Sequence, residues 1–204
     1  MMMLSKRRGY HVGNLRAQLM TDARALLEEG GHSQINLRGL AARAGIAPGS
    51  VYHHYASKQA LLAGLAVTGF GELEAALLAA ADASQPTPIR ACALAYFGFA
   101  QAQPALYALM FDPGILAEAE VKTARAKAFS VLESAVRAAA SQADQDTETV
   151  HRISLAVWAC GHGAASMTLA DTAEDQGLLM EQVIRASKPC SADDNARRCE
   201  TGGR

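Results

Sequence analysis

Between residues 37 and 58 the chain reads LRGLAARAGIAPGSVYHHYASK, and this stretch constrains the fold most, because its apolar spacing, glycine and proline each fix a backbone state. Leu37, Leu40, Ala41 and Ala44 recur at i, i+3, i+4 and i+7, which gives a short helix one apolar face and leaves Arg38 and Arg43 on the polar one. Asn36 can cap its start. Gly45 follows the last periodic residue, where a helix end needs a residue tolerant of positive φ, and Ile46 returns the chain to the core. Pro48 sits where a first helical residue belongs, since its fixed φ suits a helix start and an N–H is not needed there. Two short helices joined by a glycine turn, the second aromatic and basic, have the chemistry of a major-groove reader.

Almost everything else also reads as helix. Leu15, Leu19, Ala23, Leu26 and Leu27 form the stripe of a first helix that opens at Asn14 and stops at Gly30-Gly31. After Ser57, a plausible N-cap, a long helix carries Leu61, Leu65, Leu73 and Leu77, with a bend or close crossing expected near Gly69. Asp82 to Pro88 marks a loop. Further helices are expected over Ile89–Gln103, through Met110, over Ile115–Gln142 with Lys122, Arg125, Lys127 and Arg137 exposed, over Val150–Ala170, and over Leu178–Ala186. The tail KPCSADDNARRCETGGR has no apolar period and is expected to be disordered.

Charge is segregated along the chain. Residues 1–58 hold eight Lys and Arg against three Asp and Glu, net +5, while the remainder holds 11 against 17, net −6. A basic module that meets phosphates beside one that does not fits this division. The four cysteines show no zinc spacing, and Cys92 and Cys160 suit small buried positions. No secretory signal is evident, so a cytoplasmic, reduced setting is expected. The uncharged runs Ala91–Phe111 and Ile153–Ala170 are broken by Gln101, Gln103 and Pro104 or hold His162 and several hydroxyls, which argues against membrane spans. No G-x-S-x-G elbow, phosphate loop, dinucleotide fingerprint or H-E-x-x-H occurs, so no enzyme, catalytic residue, cofactor or metal is expected. Adjacent His53 and His54 point about 100° apart on a helix and do not readily chelate one metal.

The run G-I-A-P-G-S-V-Y-H-H-Y-A-S-K resembles the DNA-binding signature of the TetR family of bacterial transcription regulators, and the upstream RRGYHVGNLR resembles the entry segment of many members. The likeness implies an all-α protein: a three-helix helix-turn-helix DNA-binding domain joined by a long helix to a helical ligand-binding and dimerisation domain. The expected division is 1–58 for the basic arm and DNA-binding domain, 59–187 for the second domain and 188–204 for the tail. Ala47 departs from the pattern, since members often carry Ser or Thr there, and a side-chain cap and one phosphate contact are lost with it. Pro48, Gly49, Ser50, Tyr52, His53 and His54, with Ala47 at the helix entry, are expected to face bases and sugar-phosphate. By resemblance Tyr52, His54 and Lys58 bind phosphate, Arg38 touches the backbone or a base, and Lys6, Arg7 and Arg8 trail along phosphates or into the minor groove. Val51 and Tyr55 face inward.

In the second domain Ala156, Ala159, Gly163, Ser166 and Ala170 form a small-residue stripe suited to a dimer or intradomain seam. A second stripe, Leu155, Trp158, His162, Ala165 and Leu169, lies about 100° round the helix. Its W-x-x-x-H-G pattern resembles a ligand-domain subgroup of the same family. Trp158 and His162, with Tyr96, Phe99, Tyr107, Met110 and Phe111, could line an apolar pocket, and ordinary core packing accounts for the same residues. The implied partners are a double-stranded DNA operator, a small apolar or aromatic effector, and a second copy forming a homodimer on a palindromic site, with repression relieved by ligand. The competing reading is an all-helical protein-interaction module without DNA binding.

Overall fold

The structure, a computed structural model, describes residues 15–83, 88–139 and 146–168. Among the described residues there are nine helices and no strands: α1 (Leu15–Gln34), α2 (Leu37–Ala44), α3 (Pro48–His54), α4 (Lys58–Ala83), α5 (Pro88–Ala102), α6 (Pro104–Met110), α7 (Pro113–Leu116), α8 (Ala119–Ala139) and α9 (Thr147–Thr168). The all-α expectation holds. The chain packs into two units, Met1–Glu72 with Gln103–Ala126, and Leu73–Ala102 with Lys127–Arg204. This packing division falls inside α4 and α8 and groups residues 59–72 and 103–126 with the first unit. Helix α4 is continuous from Lys58, so its early turns pack with the helices they leave.

In the first unit, α1 buries Leu19, Ala23 and Leu27, α2 buries Leu37, Leu40 and Ala41, and α3 buries Val51. The helix ends follow from local chemistry. Asn36 Oδ1 accepts from Gly39 N at 2.7 Å at the start of α2. At its end Gly45 has φ 70° and ψ 31°, with Gly45 N donating to Ala42 O at 3.2 Å and Ile46 N to Ala41 O at 3.0 Å, the paired bonds of a Schellman motif. A Cβ at Gly45 would meet no other atom, so an L side chain there is opposed by the backbone alone. Gly45→Ala is expected to destabilise the protein by about 1–2 kcal/mol in urea unfolding, and an unchanged midpoint would contradict this origin of the turn. Gly31, at φ 71°, interrupts α1 close to the predicted stop.

Two expectations need correction. The helix expected from Ile115 is interrupted, because Asp112 accepts from Gly114 N at 2.9 Å and Ile115 N at 3.1 Å and starts the one-turn α7, after which α8 begins at Ala119. Cys160 is exposed on α9, whereas Cys92 is buried, with Sγ 3.7 Å from Leu77 O and its thiol pKa pushed up by burial. The close crossing near Gly69 is present: a Cβ there would lie 2.6 Å from Met110 Sδ and 2.8 Å from Leu106 Cδ2 on α6. Helix α4 is long and apolar enough to cross a membrane by length and composition, and half of its most apolar window is buried within the protein. Asn14, the expected helix at 178–186 and the tail lie outside the described residues.

Candidate functional site

Helix α3 presents the residues expected to meet DNA. Val51 is fully buried and Tyr55 is 3 % exposed, so both face the core, while Tyr52 is 51 % exposed. Ala47, Pro48, Gly49, His53 and His54 are exposed and Ser50 is half-buried. Tyr55 is held from above by Arg16, whose guanidinium carbon lies 5.5 Å from the ring centroid, and burial pushes the Tyr55 phenol pKa up. Ala47 occupies the N-cap with no side-chain hydrogen bond, as its methyl group dictates, and Pro48 starts the helix. Gly49 has an ordinary φ and open space where a Cβ would stand, so the fold does not require glycine there. A partner approaching that turn closely would require it. Gly49→Ala is expected to preserve or raise stability, by up to about 1 kcal/mol, while weakening DNA binding; equal affinity would remove Gly49 from the interface.

The two arginines of α2 have different surroundings. Arg43 forms a bidentate pair with Glu29 of α1, Nη1–Oε2 2.9 Å and Nη2–Oε1 2.8 Å, with Nε 3.9 Å from Asp22 Oδ1. The hydrogen bonds to Glu29 raise its pKa above the ordinary guanidinium value. Arg38 is exposed and has no ion pair or hydrogen bond among the described residues. Lys58 opens α4, which Ser57 caps through Ala60 N at 3.1 Å, and its Nζ donates to Ser33 O at 3.2 Å. That bond anchors the ammonium beside the α4 N-terminus and leaves further donors for another acceptor. Lys6, Arg7 and Arg8 lie outside the described residues.

The residues expected to form a ligand pocket are divided between the units. Tyr107, Met110 and Phe111 belong to the first unit, where Phe111 packs on Phe70 at 5.5 Å and on Tyr107 at 4.9 Å between ring centroids. Tyr96, Phe99, Trp158 and His162 belong to the second. There Leu77, Ala93, Tyr96, Leu132, Val157, Trp158 and Gly161 line a small, partly open apolar recess. Trp158 meets Tyr96 and Phe129 edge to face at 5.1 and 5.5 Å. Tyr96 Oη lies 3.3 Å from His162 Nδ1, and burial lowers the His162 pKa. Phe99 is buried on α5 and does not line the cavity. Leu77, Ala93, Leu132, Val157 and Gly161 were missed because apolar residues on four helices carry no mutual spacing signal; Val157 and Gly161, at i and i+4, offered the nearest one.

The small-residue stripe of α9 is open. Ala156, Ala159, Gly163 and Ser166 are exposed, flanked by Leu155 at 53 % and Met167 at 61 % exposure. Leu155 therefore does not share the inward face of Trp158 and the buried Ala165. Ala170 and Leu169 lie outside the described residues.

Comparison with known proteins agrees with both halves. The family described as bacterial regulatory proteins, tetR family, matches residues 19–65, and the tetracyclin repressor-like C-terminal domain matches residues 89–186. A solved structure of a protein with unknown function from Rhodococcus sp. RHA1 is 33 % identical, covers 88 % of this chain and 95 % of its own, and superposes with a TM-score of 0.74. A bacterial regulatory protein in the tetR family from Rhodococcus RHA1 is 20 % identical over 88 % of this chain and 100 % of its own, with a TM-score of 0.63. The transcriptional regulator FadR from Bacillus subtilis, solved with stearoyl-CoA, is 13 % identical over 84 % of this chain and 97 % of its own, with a TM-score of 0.67. No curated protein matches the chain.

Proposed function

The chain belongs to the TetR family of bacterial regulatory proteins, and from that membership we propose a cytoplasmic, non-enzymatic repressor whose homodimer binds a palindromic operator and is released by a small apolar or aromatic effector. The observation that carries this reading is the outward set on α2 and α3: Arg38, Tyr52, His53 and His54 are exposed beside a fully buried Val51. An exposed Tyr-His-His face on a two-turn helix anchored by the buried Val51 and Tyr55, beside the exposed Arg38, suits a groove reader better than an interaction module that does not read DNA. Ala47, Pro48, Gly49 and Ser50 would approach the duplex at the helix start, Lys58 would bind phosphate, and the arm residues Lys6, Arg7 and Arg8 would add backbone or minor-groove contacts. The exposed α9 stripe suits the dimer seam, since its small side chains permit close approach of a second helix.

The effector would enter the cavity beside Tyr96 and Trp158, with the Tyr96–His162 pair as its polar edge. The recess is apolar and has interior room for about one water-sized sphere, so on this reading it must widen to admit a ring, and much further to admit a fatty acyl-CoA of the kind held by FadR. The W-x-x-x-H-G pattern assigns the chain to the corresponding ligand-domain subgroup on this reading. Trp158 is the single tryptophan, so its fluorescence reports occupancy directly. Operator binding is tested with Lys58→Ala on duplexes selected from a random pool. Weaker binding to every duplex, with a salt dependence shallower by about 1, is expected; an unchanged slope would remove Lys58 from the phosphate contacts.

A further inference from the structure

The chain passes between the two packing units at 72/73 in α4, at 102/103 and at 126/127 in α8. One side chain grips the first two of these points from within the first unit. Arg24 of α1 directs Nη1 and Nη2 at Glu72 Oε1 and Oε2, at 3.4 and 3.2 Å, and Nη2 also donates to Gln103 Oε1. Its Nε donates to Glu28 Oε1 at 3.2 Å, one turn along α1. Glu72 is the last residue of the first unit on α4, and Gln103 is the first residue after the chain returns. The Arg24 side chain is 24 % exposed, more sheltered than the 40 % of Glu72.

Neither partner is explained by local structure. Gln103 holds the N-cap of α6 but makes no side-chain cap bond there, and its amide oxygen serves Arg24 instead. Glu72 follows Gly69 and Gly71, each of which lowers helix propensity by about 1 kcal/mol relative to alanine. Arg24 therefore fastens α1 to α4 beyond these two glycines from Lys58. A planar guanidinium can serve two carboxylate oxygens and an amide together, which an ammonium cannot do with the same fixed geometry.

We propose that Arg24 is a positioning residue that holds α1, and with it α2 and α3, against α4 at Glu72 and against the start of α6 at Gln103, and so sets the half-site spacing that the dimer reads. The consequence at DNA rests on the regulator reading; the clasp itself rests on geometry inside the first unit. Inserting one base pair between half-sites turns one of them by roughly 35° relative to the other, so a fixed reader must discriminate against it.

The test uses full-length protein in two measurements. The first is the affinity for duplexes selected from a random pool, and for the same duplexes with one central base pair inserted or removed. The second is a pulsed electron-spin distance distribution between labels at Ala42 and Lys122, both exposed in the first unit, with the buried Cys92 retained, the other cysteines replaced by serine, and the sample diluted into unlabelled protein. Wild-type protein is expected to prefer its own spacing by about tenfold or more, and Arg24→Gln to reduce this below about threefold while broadening the distance distribution. Arg24→Glu combined with Glu72→Arg is expected to restore both. An Arg24→Gln protein with a narrow distribution and equal loss of affinity at every spacing, or no loss, would overturn the proposal, as would a swapped pair that restores neither property. Wild-type protein that selects no duplex would sink the regulator reading instead, and the distance distribution would still decide the clasp.

Discussion

Arg38→Ala is expected to weaken operator binding roughly ten- to hundredfold with no loss of folding stability, whereas Arg43→Ala lowers stability and affects DNA only through the displaced α2. Both arginines lie on the polar side of one eight-residue helix. Arg43 is committed to Glu29 through two hydrogen bonds and stands near Asp22, so its removal leaves two α1 carboxylates without their cation. Arg38 has no acidic partner among the described residues, so its removal breaks nothing inside the protein. An exposed cation with no internal partner is free to replace the counterions of a phosphate or to fork onto a guanine edge. The two contacts are separable: a phosphate contact weakens all duplexes alike, while a base contact relaxes preference at one position. Melting curves and operator titrations of the two variants provide the check. Equal loss of DNA affinity in both, at equal stability, would show that the ion pairs do not distinguish their roles.

Gly69→Val and Gly71→Ala should act in opposite directions although the glycines are two residues apart. A Cβ at Gly69 would press on Met110 Sδ and on Leu106, whose Cγ would lie 3.0 Å away, whereas a Cβ at Gly71 would meet nothing within 4 Å. Valine at 69 overpacks the crossing of α4 over α6, and such overpacking costs about 1–3 kcal/mol, against a gain in helix propensity of less than about 0.5 kcal/mol. Alanine at 71 gains propensity without a clash and should stabilise by up to about 1 kcal/mol. Denaturant unfolding of both variants checks the pair. A stabilising Gly69→Val would mean that α6 shifts freely, and the crossing would then not hold α6 in place.

These contrasts mark where sequence was sufficient. The helix-turn-helix was legible because its signals are local: Asn36, Gly45 and Pro48 each dictate a backbone state, and Leu37, Leu40 and Ala41 repeat within one helix. The inward placing of Val51 and Tyr55, implied by the family resemblance, agrees with their burial. Helix α7 was not legible, since a single turn started by Asp112 has no periodicity to detect. For the seven residues read either as pocket lining or as core packing, nothing along the chain says that Tyr107 and Phe111 pack together and Phe111 with Phe70, while Tyr96 packs with Trp158. Nor could spacing tell Arg38 from Arg43 or Gly69 from Gly71, since each difference depends on a residue from another helix. Arg24 gave no signal for that reason: its partners are 48 and 79 residues away.

The most direct test of the central claim is a fluorescence-anisotropy titration of the purified protein against DNA from upstream of its own gene, with a scrambled duplex as competitor, at several salt concentrations. The regulator reading predicts specific binding that weakens steeply with salt and a footprint of two symmetric half-sites. Equal, weak binding to both duplexes, followed by a random-pool selection that enriches no sequence, would contradict it and leave a helical interaction module.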